Sequence, residues 1–81
     1  SIVQLKKYIN DILSKELHCS VVIEKIKDKK LGDFATTIAF SLAKKYKKSP
    51  VDIAKDLVKK FDDYSCFSSV NSVNGFINFT I

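Results

Sequence analysis

Ser69-Val70-Asn71-Ser72-Val73-Asn74-Gly75-Phe76-Ile77-Asn78-Phe79-Thr80-Ile81 closes the chain and decides its fold. Asn-Gly between two extended runs favours a two-residue type I′ turn, whose twist matches that of a hairpin. Such a turn pins the register. Val73 faces Phe76, Asn71 faces Asn78 and Ser69 faces Thr80, while Ser72, Val70 and Ser68 face Ile77, Phe79 and Ile81. Side chains alternate along a strand, so Ile77, Phe79 and Ile81 point to a core. Phe76 is left on the other, polar side with Asn71, Asn78, Ser69 and Thr80.

Upstream, Ser49-Pro50-Val51-Asp52 announces a helix: Ser caps, Pro suits the first helical position, and Asp52 sits where an acidic capping-box partner belongs. Ile53, Ala54, Leu57, Val58 and Phe61 form its buried face. Before it, Gly32-Asp33-Phe34 reads as local architecture, with Gly permitting a turn, Asp33 bonding nearby amides and Phe34 anchoring the core. A short extended piece through Phe34 pairs back on an earlier strand. A helix follows in which Ala35, Ala39 and Ala43 lie one turn apart, a small-residue stripe suited to close packing on a sheet.

The earlier strand is the β-branched run Val21-Val22-Ile23, continued as Glu24-Lys25-Ile26 and ended by the polar turn Lys27-Asp28-Lys29-Lys30. Ahead of it, Ile2, Leu5, Ile9, Ile12, Leu13 and Leu17 recur at helical spacing, with Lys6, Lys7, Asn10, Ser14 and Lys15 opposite.

With 81 residues the chain holds one domain, residues 1–81, and a domain of this size buries roughly two-thirds of its unfolded surface. A hydrophobic content of 46% with six Phe suffices for a modest core. The longest apolar stretches, Ser20 to Ile23 and Phe76 to Ile81, fall far short of the roughly 20 residues that a bilayer-spanning helix needs. No secretory pattern opens the chain, so a cytoplasmic location and no membrane partner are expected. Cys19 and Cys66 lack metal or redox spacing and read as buried small hydrophobes. The charge-free ending Phe79-Thr80-Ile81 leads us to expect a domain excised from a longer polypeptide.

Catalysis finds little support. His18 is the one histidine, no Ser-His or Cys-His set is evident, and Gly32 and Gly75 are the only glycines, so no phosphate-binding glycine loop exists. No metal site and no cofactor are expected within the chain. Binding is better supported. Net charge is +5, carried by 14 basic residues that are all Lys. Lys offers phosphates a point charge rather than the planar fork of Arg, which favours electrostatic positioning. Two clusters stand out: Lys25, Lys27, Lys29 and Lys30 around the first turn, and Lys44, Lys45, Lys47 and Lys48 at a helix end. Either is placed to touch phosphate; equally, the first solvates a turn and the second complements a helix C-terminus. On the hairpin, an exposed aromatic flanked by amides suits an unstacked base, the ring stacking while the amides read hydrogen-bonding edges. The bland alternative has Phe76 covering Val73 or docking on a neighbouring domain. On the base-stacking reading its removal is expected to leave stability nearly unchanged, because the ring faces away from the core.

In order and spacing, Gly32-Asp33-Phe34-Ala35-Thr36-Thr37-Ile38-Ala39-Phe40-Ser41-Leu42-Ala43-Lys44-Lys45, Ser49-Pro50-Val51-Asp52-Ile53-Ala54 and Gly75-Phe76-Ile77-Asn78-Phe79 together resemble the N-terminal additional domain of arginyl-tRNA synthetases. The resemblance covers nearly the whole chain. It implies an α+β two-layer sandwich of order α-β-β-α-α-β-β, a small antiparallel four-stranded sheet covered on one face by about three helices. It implies tRNA-Arg as partner, contacted at the D-loop on the outer corner. It also implies a parent ligase of class I whose catalytic domain follows and holds ATP and arginine. The His-x-Gly-His and Lys-Met-Ser-Lys-Ser signatures of that chemistry are absent here. The aromatic and the amide two places later in the family's last hairpin match Phe76 and Asn78; a third amide matches either Asn74 or Asn71. Lys27, Lys29, Lys30, Lys44 and Lys45 are the candidate phosphate contacts. Departures are Thr37, where the family often has Asn, and Asn74-Gly75 in place of a Pro-Gly turn. Competing readings are a structural docking domain of the same enzyme and a stand-alone single-stranded RNA binder.

Overall fold

A computed structural model of the chain describes all of residues 1–81. Its elements run α1 (Ile2–Leu17), β1 (Ile23–Lys25), a 3₁₀ turn (Lys29–Leu31), β2 (Phe34–Thr36), α2 (Ile38–Tyr46), α3 (Pro50–Phe61), β3 (Ser69–Val73) and β4 (Phe76–Thr80). The strands form one antiparallel sheet in the order β1-β2-β4-β3. The α+β fold and its α-β-β-α-α-β-β order are as expected from the sequence.

The hairpin adopts the register that its turn dictates, with Val73 opposite Phe76, Asn71 opposite Asn78 and Ser69 opposite Thr80. Asn74 and Gly75 both take positive φ, 52° and 93°, as a type I′ turn requires. β4 lies in the middle of the sheet, so its inward residues meet every layer. Ile77 and Phe79 are fully buried, and Phe79 gathers Phe67 at 4.7 Å and Phe61 at 5.9 Å between ring centroids. Offset aromatic packing at these distances adds to the area buried. Ile9 and Leu13 from α1, Ala39 from α2 and Ala54 and Leu57 from α3 complete the core.

The Gly32-Asp33-Phe34 motif is architectural, with a longer reach than its local reading. Asp33 N–H donates to the Phe79 carbonyl at 2.7 Å, Asp33 Oδ2 accepts from Ile81 N–H at 2.8 Å, and the Asp33 carbonyl accepts from Ile26 N–H at 2.9 Å. One residue thereby ties the exit of β1 and the start of β2 to the end of β4.

Five sequence expectations need correction. β1 begins at Ile23 rather than Val21, because the backbone before it pairs with α1 side chains instead of a strand. Ser14 Oγ accepts from Val21 N–H and Asn10 Oδ1 accepts from Ile23 N–H, both at 2.8 Å. Asn10 and Ser14 therefore belong to the helix–sheet junction, not to a solvated face. Ala35 lies in β2, paired with Glu24 and Asn78, and the small-residue stripe of α2 reduces to Ala39 and Ala43. Ile81 is half-exposed beyond the end of β4. Cys19 and Cys66 are free thiols at the core margin, half-buried rather than enclosed.

The helix ends follow local chemistry. Ser49 Oγ accepts from Asp52 N–H with Pro50 in the first turn, and Ser1 and Gln4 form a reciprocal capping box on α1. α2 ends with Lys47 at φ 56° and ψ 47°, a left-handed conformation that glycine adopts without a Cβ penalty. Lys47→Gly is therefore expected to raise stability by about 0.5–1 kcal/mol, read as a higher urea midpoint with an unchanged denaturant slope. A lower midpoint would contradict the reading.

Candidate nucleic-acid interface

All three helices pack on the inner face of the sheet, which leaves the outer face uncovered. Alternation assigns that face Glu24, Ala35, Asn78 and Asn71 in one row, Val73 and Phe76 in the next, and Ser69 and Thr80 at the other end. β2, β3 and β4 contain no charged residue. Glu24, on the β1 edge, lies 3.5 Å from Lys6 Nζ.

A depression of ≈ 250 Å³ opens on this face, lined by Ile26, Leu31, Ala35, Val73, Asn74, Phe76 and Asn78. Three of the four hairpin residues singled out from the sequence, Phe76, Asn78 and Asn74, thus converge on one hollow. Asn71 does not line it; it stands beside Asn78 across the β3–β4 ladder, exposed on the edge strand. Phe76 is 46% exposed, whereas Asn78 is only 7% exposed because it sits mid-sheet between Ala35 and Asn71. The Asn78 amide makes no hydrogen bond to the rest of the chain. Since no polar side-chain atom is sealed from solvent without a partner, that amide opens onto the depression. It offers both a donor and an acceptor there.

Phe76 is not a free ring. Phe40 of α2 meets it edge-on, with centroids 5.2 Å apart at 66°, and the same Phe40 ring lies over Gly75. Gly75 is small enough to admit that ring, since a Cβ there would come within 2.8 Å of it. The contact fixes the pitch of Phe76 while leaving nearly half its surface open. It also corrects the expectation of negligible stability loss, because removing Phe76 forfeits both the aromatic contact and its cross-strand pairing with Val73.

The residues that the sequence reading missed are Ile26, Leu31, Ala35 and Phe40. Ile26 carried a signal: in the period-two run it shares the solvent side with Glu24, where an apolar residue calls for an explanation. Leu31, half-exposed in a lysine turn, carried another. Ala35 was obscured by its helical spacing to Ala39, and nothing in the sequence ties Phe40 to the hairpin tip.

The lysine clusters fall in different places. Lys27, Lys29 and Lys30 lie between Ile26 and Leu31, two lining residues of the depression. Lys44 and Lys45 occupy the last turn of α2, where Lys45 Nζ stands 5.2 Å from the Tyr46 ring centroid. A larger hollow of ≈ 720 Å³ along α1, lined by Tyr8, Asp11, Lys15 and Cys19 among others, is more open and includes a carboxylate already held by Lys7 at 2.9 Å. His18 ends α1 in a left-handed conformation, and no three His, Cys, Asp or Glu side chains gather as a metal site would require. Burial raises the pKa of the Cys66 thiol. Burial, with the Glu16 carboxylate nearby, also raises that of the Tyr64 phenol, so both groups stay protonated at neutral pH. No helix is long and apolar enough to cross a membrane.

Comparison with known proteins agrees with this architecture. The chain is 51% identical over 77 residues to the arginine–tRNA ligase of Campylobacter jejuni subsp. doylei, covering 95% of this chain and 14% of that relative. The corresponding ligases of Aliarcobacter butzleri and Nitratiruptor sp. are 46% and 42% identical over the same length, each covered for 15% of its own. The chain thus spans about one-seventh of the curated relatives it matches. Its fold superposes on that of Thermus thermophilus arginyl-tRNA synthetase with a TM-score of 0.81 at 22% identity, over 95% of this chain and 14% of that one. Residues 3–81 match the profile described as Arginyl tRNA synthetase N terminal domain, and the chain belongs to that family.

Proposed function

We propose that this domain binds RNA for an arginine–tRNA ligase, gripping tRNA-Arg at the D-loop on its outer corner. Phe76 stacks on an unpaired base, and the amides of Asn78 and Asn74 reach the base edges, with Asn71 flanking. The observation that carries the reading is the convergence of a half-exposed ring and two amides on a depression of the outer sheet face whose lining holds no charged residue. Bases splayed from a loop are recognised by this pairing of an aromatic plane with edge-reading hydrogen bonds. Aminoacylation, with its ATP and arginine, belongs to the catalytic domain of the parent chain, in the cytoplasm.

The test is an amide chemical-shift titration of the domain with tRNA-Arg and with a version altered only in the D-loop. Shifts centred on Asn71, Asn74, Phe76 and Asn78 that disappear with the altered RNA are the expected result. Equal shifts with both RNAs, confined to lysines, would overturn the reading and leave the face free to dock on the rest of the enzyme.

A further inference from the structure

The geometry points to the Lys27–Lys30 turn as the phosphate-binding jaw of the outer-face site, with the Lys44–Lys48 cluster standing outside it. The inference rests on the RNA-binding reading above and resolves which positive charges serve it. The first argument is placement. The turn leaves the sheet at Ile26 and returns at Leu31, and both residues line the depression that holds Phe76 and Asn78. The chain between them is therefore rooted on the rim of the site. Lys29 also lines a neighbouring, mostly apolar groove with Lys25, Asp33 and Ile81, which continues from Ile26 past the sheet edge.

The second argument is charge. None of Lys25, Lys27, Lys29 or Lys30 has a carboxylate within 4.0 Å; the ion pairs formed are Lys6–Glu24 and Lys7–Asp11. The one acid in the turn, Asp28, is turned inward to its own backbone, its Oδ1 accepting from Lys30 N–H at 3.0 Å. That bond closes the 3₁₀ turn and holds the lysines on a defined scaffold rather than a loose loop. The third argument is contrast. Lys44 and Lys45 lie at the C-terminal end of α2, where cations offset the helix dipole. Lys48 lines a hollow with Leu42, Tyr46, Ile53, Asp56 and Leu57, formed between α2 and α3 in the helical layer. A backbone whose base sits against Phe76 meets the first cluster on the rim of the depression itself.

Counterion release gives each cluster a separate signature. Every phosphate neutralised adds about 0.7 to the slope of log affinity against log salt for single-stranded RNA. Binding of tRNA-Arg is measured across a salt series for the 81-residue protein, for a Lys27→Gln, Lys29→Gln, Lys30→Gln triple variant and for a Lys44→Gln, Lys45→Gln, Lys48→Gln triple variant. All six side chains are exposed, so folding is retained. The first triple variant is expected to reduce the slope by about 2, and the second to leave it within error of the parent. A slope reduced by the second variant, or by neither, overturns the inference. Phe76→Ala serves as the separate arm, expected to weaken binding at every salt with the slope unchanged. Should Phe76→Ala have no effect while the first triple variant lowers the slope, the base-stacking reading falls and the basic jaw stands. Absence of any association at 50 mM salt sinks both.

Discussion

With the domain binding RNA for an arginine–tRNA ligase as proposed, Phe76→Ala in that parent is expected to raise the KM for tRNA-Arg by roughly ten- to a hundredfold, since base–aromatic stacking contributes about 1–3 kcal/mol per base. The value of kcat should change far less, because on the proposed reading the ring acts in binding and the chemistry lies in another domain. The loss has two components that must be separated. Truncation removes the stacking plane, and it also removes the edge contact with Phe40 at 5.2 Å and the pairing with Val73 across the hairpin. Those contacts should cost about 1 kcal/mol of stability, enough to loosen the hairpin tip without unfolding the domain. Phe76→Leu distinguishes the effects, since it keeps apolar packing against Phe40 and Val73 and lacks a flat π face. If stacking dominates, Phe76→Tyr stays near the parent KM and Phe76→Leu falls close to Phe76→Ala. If Phe76→Leu is indistinguishable from the parent, the ring serves only to brace the turn.

How much of this was legible in the sequence depends on how local the deciding physics is. Asn74-Gly75 sets the hairpin register through two backbone angles, so the outward placement of Phe76, Asn78 and Asn71 followed from alternation alone. The cap at Ser49 is equally local. What escaped depends on contacts distant in sequence. Asn10 and Ser14 look like the polar side of a helix until the first β backbone is laid along them, where they substitute for a neighbouring strand. Alternation placed Asn78 on the solvent side, but mid-sheet position, which strand order alone decides, gives it the burial of a core residue. The depression itself joins residues from the first turn and the last hairpin, nearly fifty positions apart, and no short-range pattern announces such a meeting. Ala35 shows the reverse failure, an accidental helical spacing overridden by pairing on both sides.

Gly32→Ala is expected to cost the fold about 2–4 kcal/mol, the largest stability effect of a single added methyl in this chain. Gly32 has φ 128° and ψ −166°, a region that is essentially closed to residues with a Cβ. Space is closed as well. A Cβ there would lie 2.9 Å from the Phe79 carbonyl oxygen and 3.3 Å from Thr80 Oγ1. The first of these is backbone in the central strand and cannot rotate away. Relief would have to come from backing β2 off β4, which strains the Asp33 N–H bond to that same carbonyl and the Asp33 Oδ2 bond to Ile81 N–H. For a domain of this size 1 kcal/mol shifts the melting point by about 4–8 °C, so a drop of roughly 10–25 °C in thermal unfolding is the expected reading. Asp33→Ala is the informative companion, because it removes the carboxylate bond while leaving Gly32 and the backbone bond intact, and should cost about 1 kcal/mol. A Gly32→Ala protein that melts within a few degrees of the parent would mean that β2 and β4 are less tightly coupled than the 2.7 Å bond implies. The outer-face site would then lack a rigid floor, because Ala35 and Asn78 lie across that same β2–β4 pairing and hold their places only as long as the two strands stay in register.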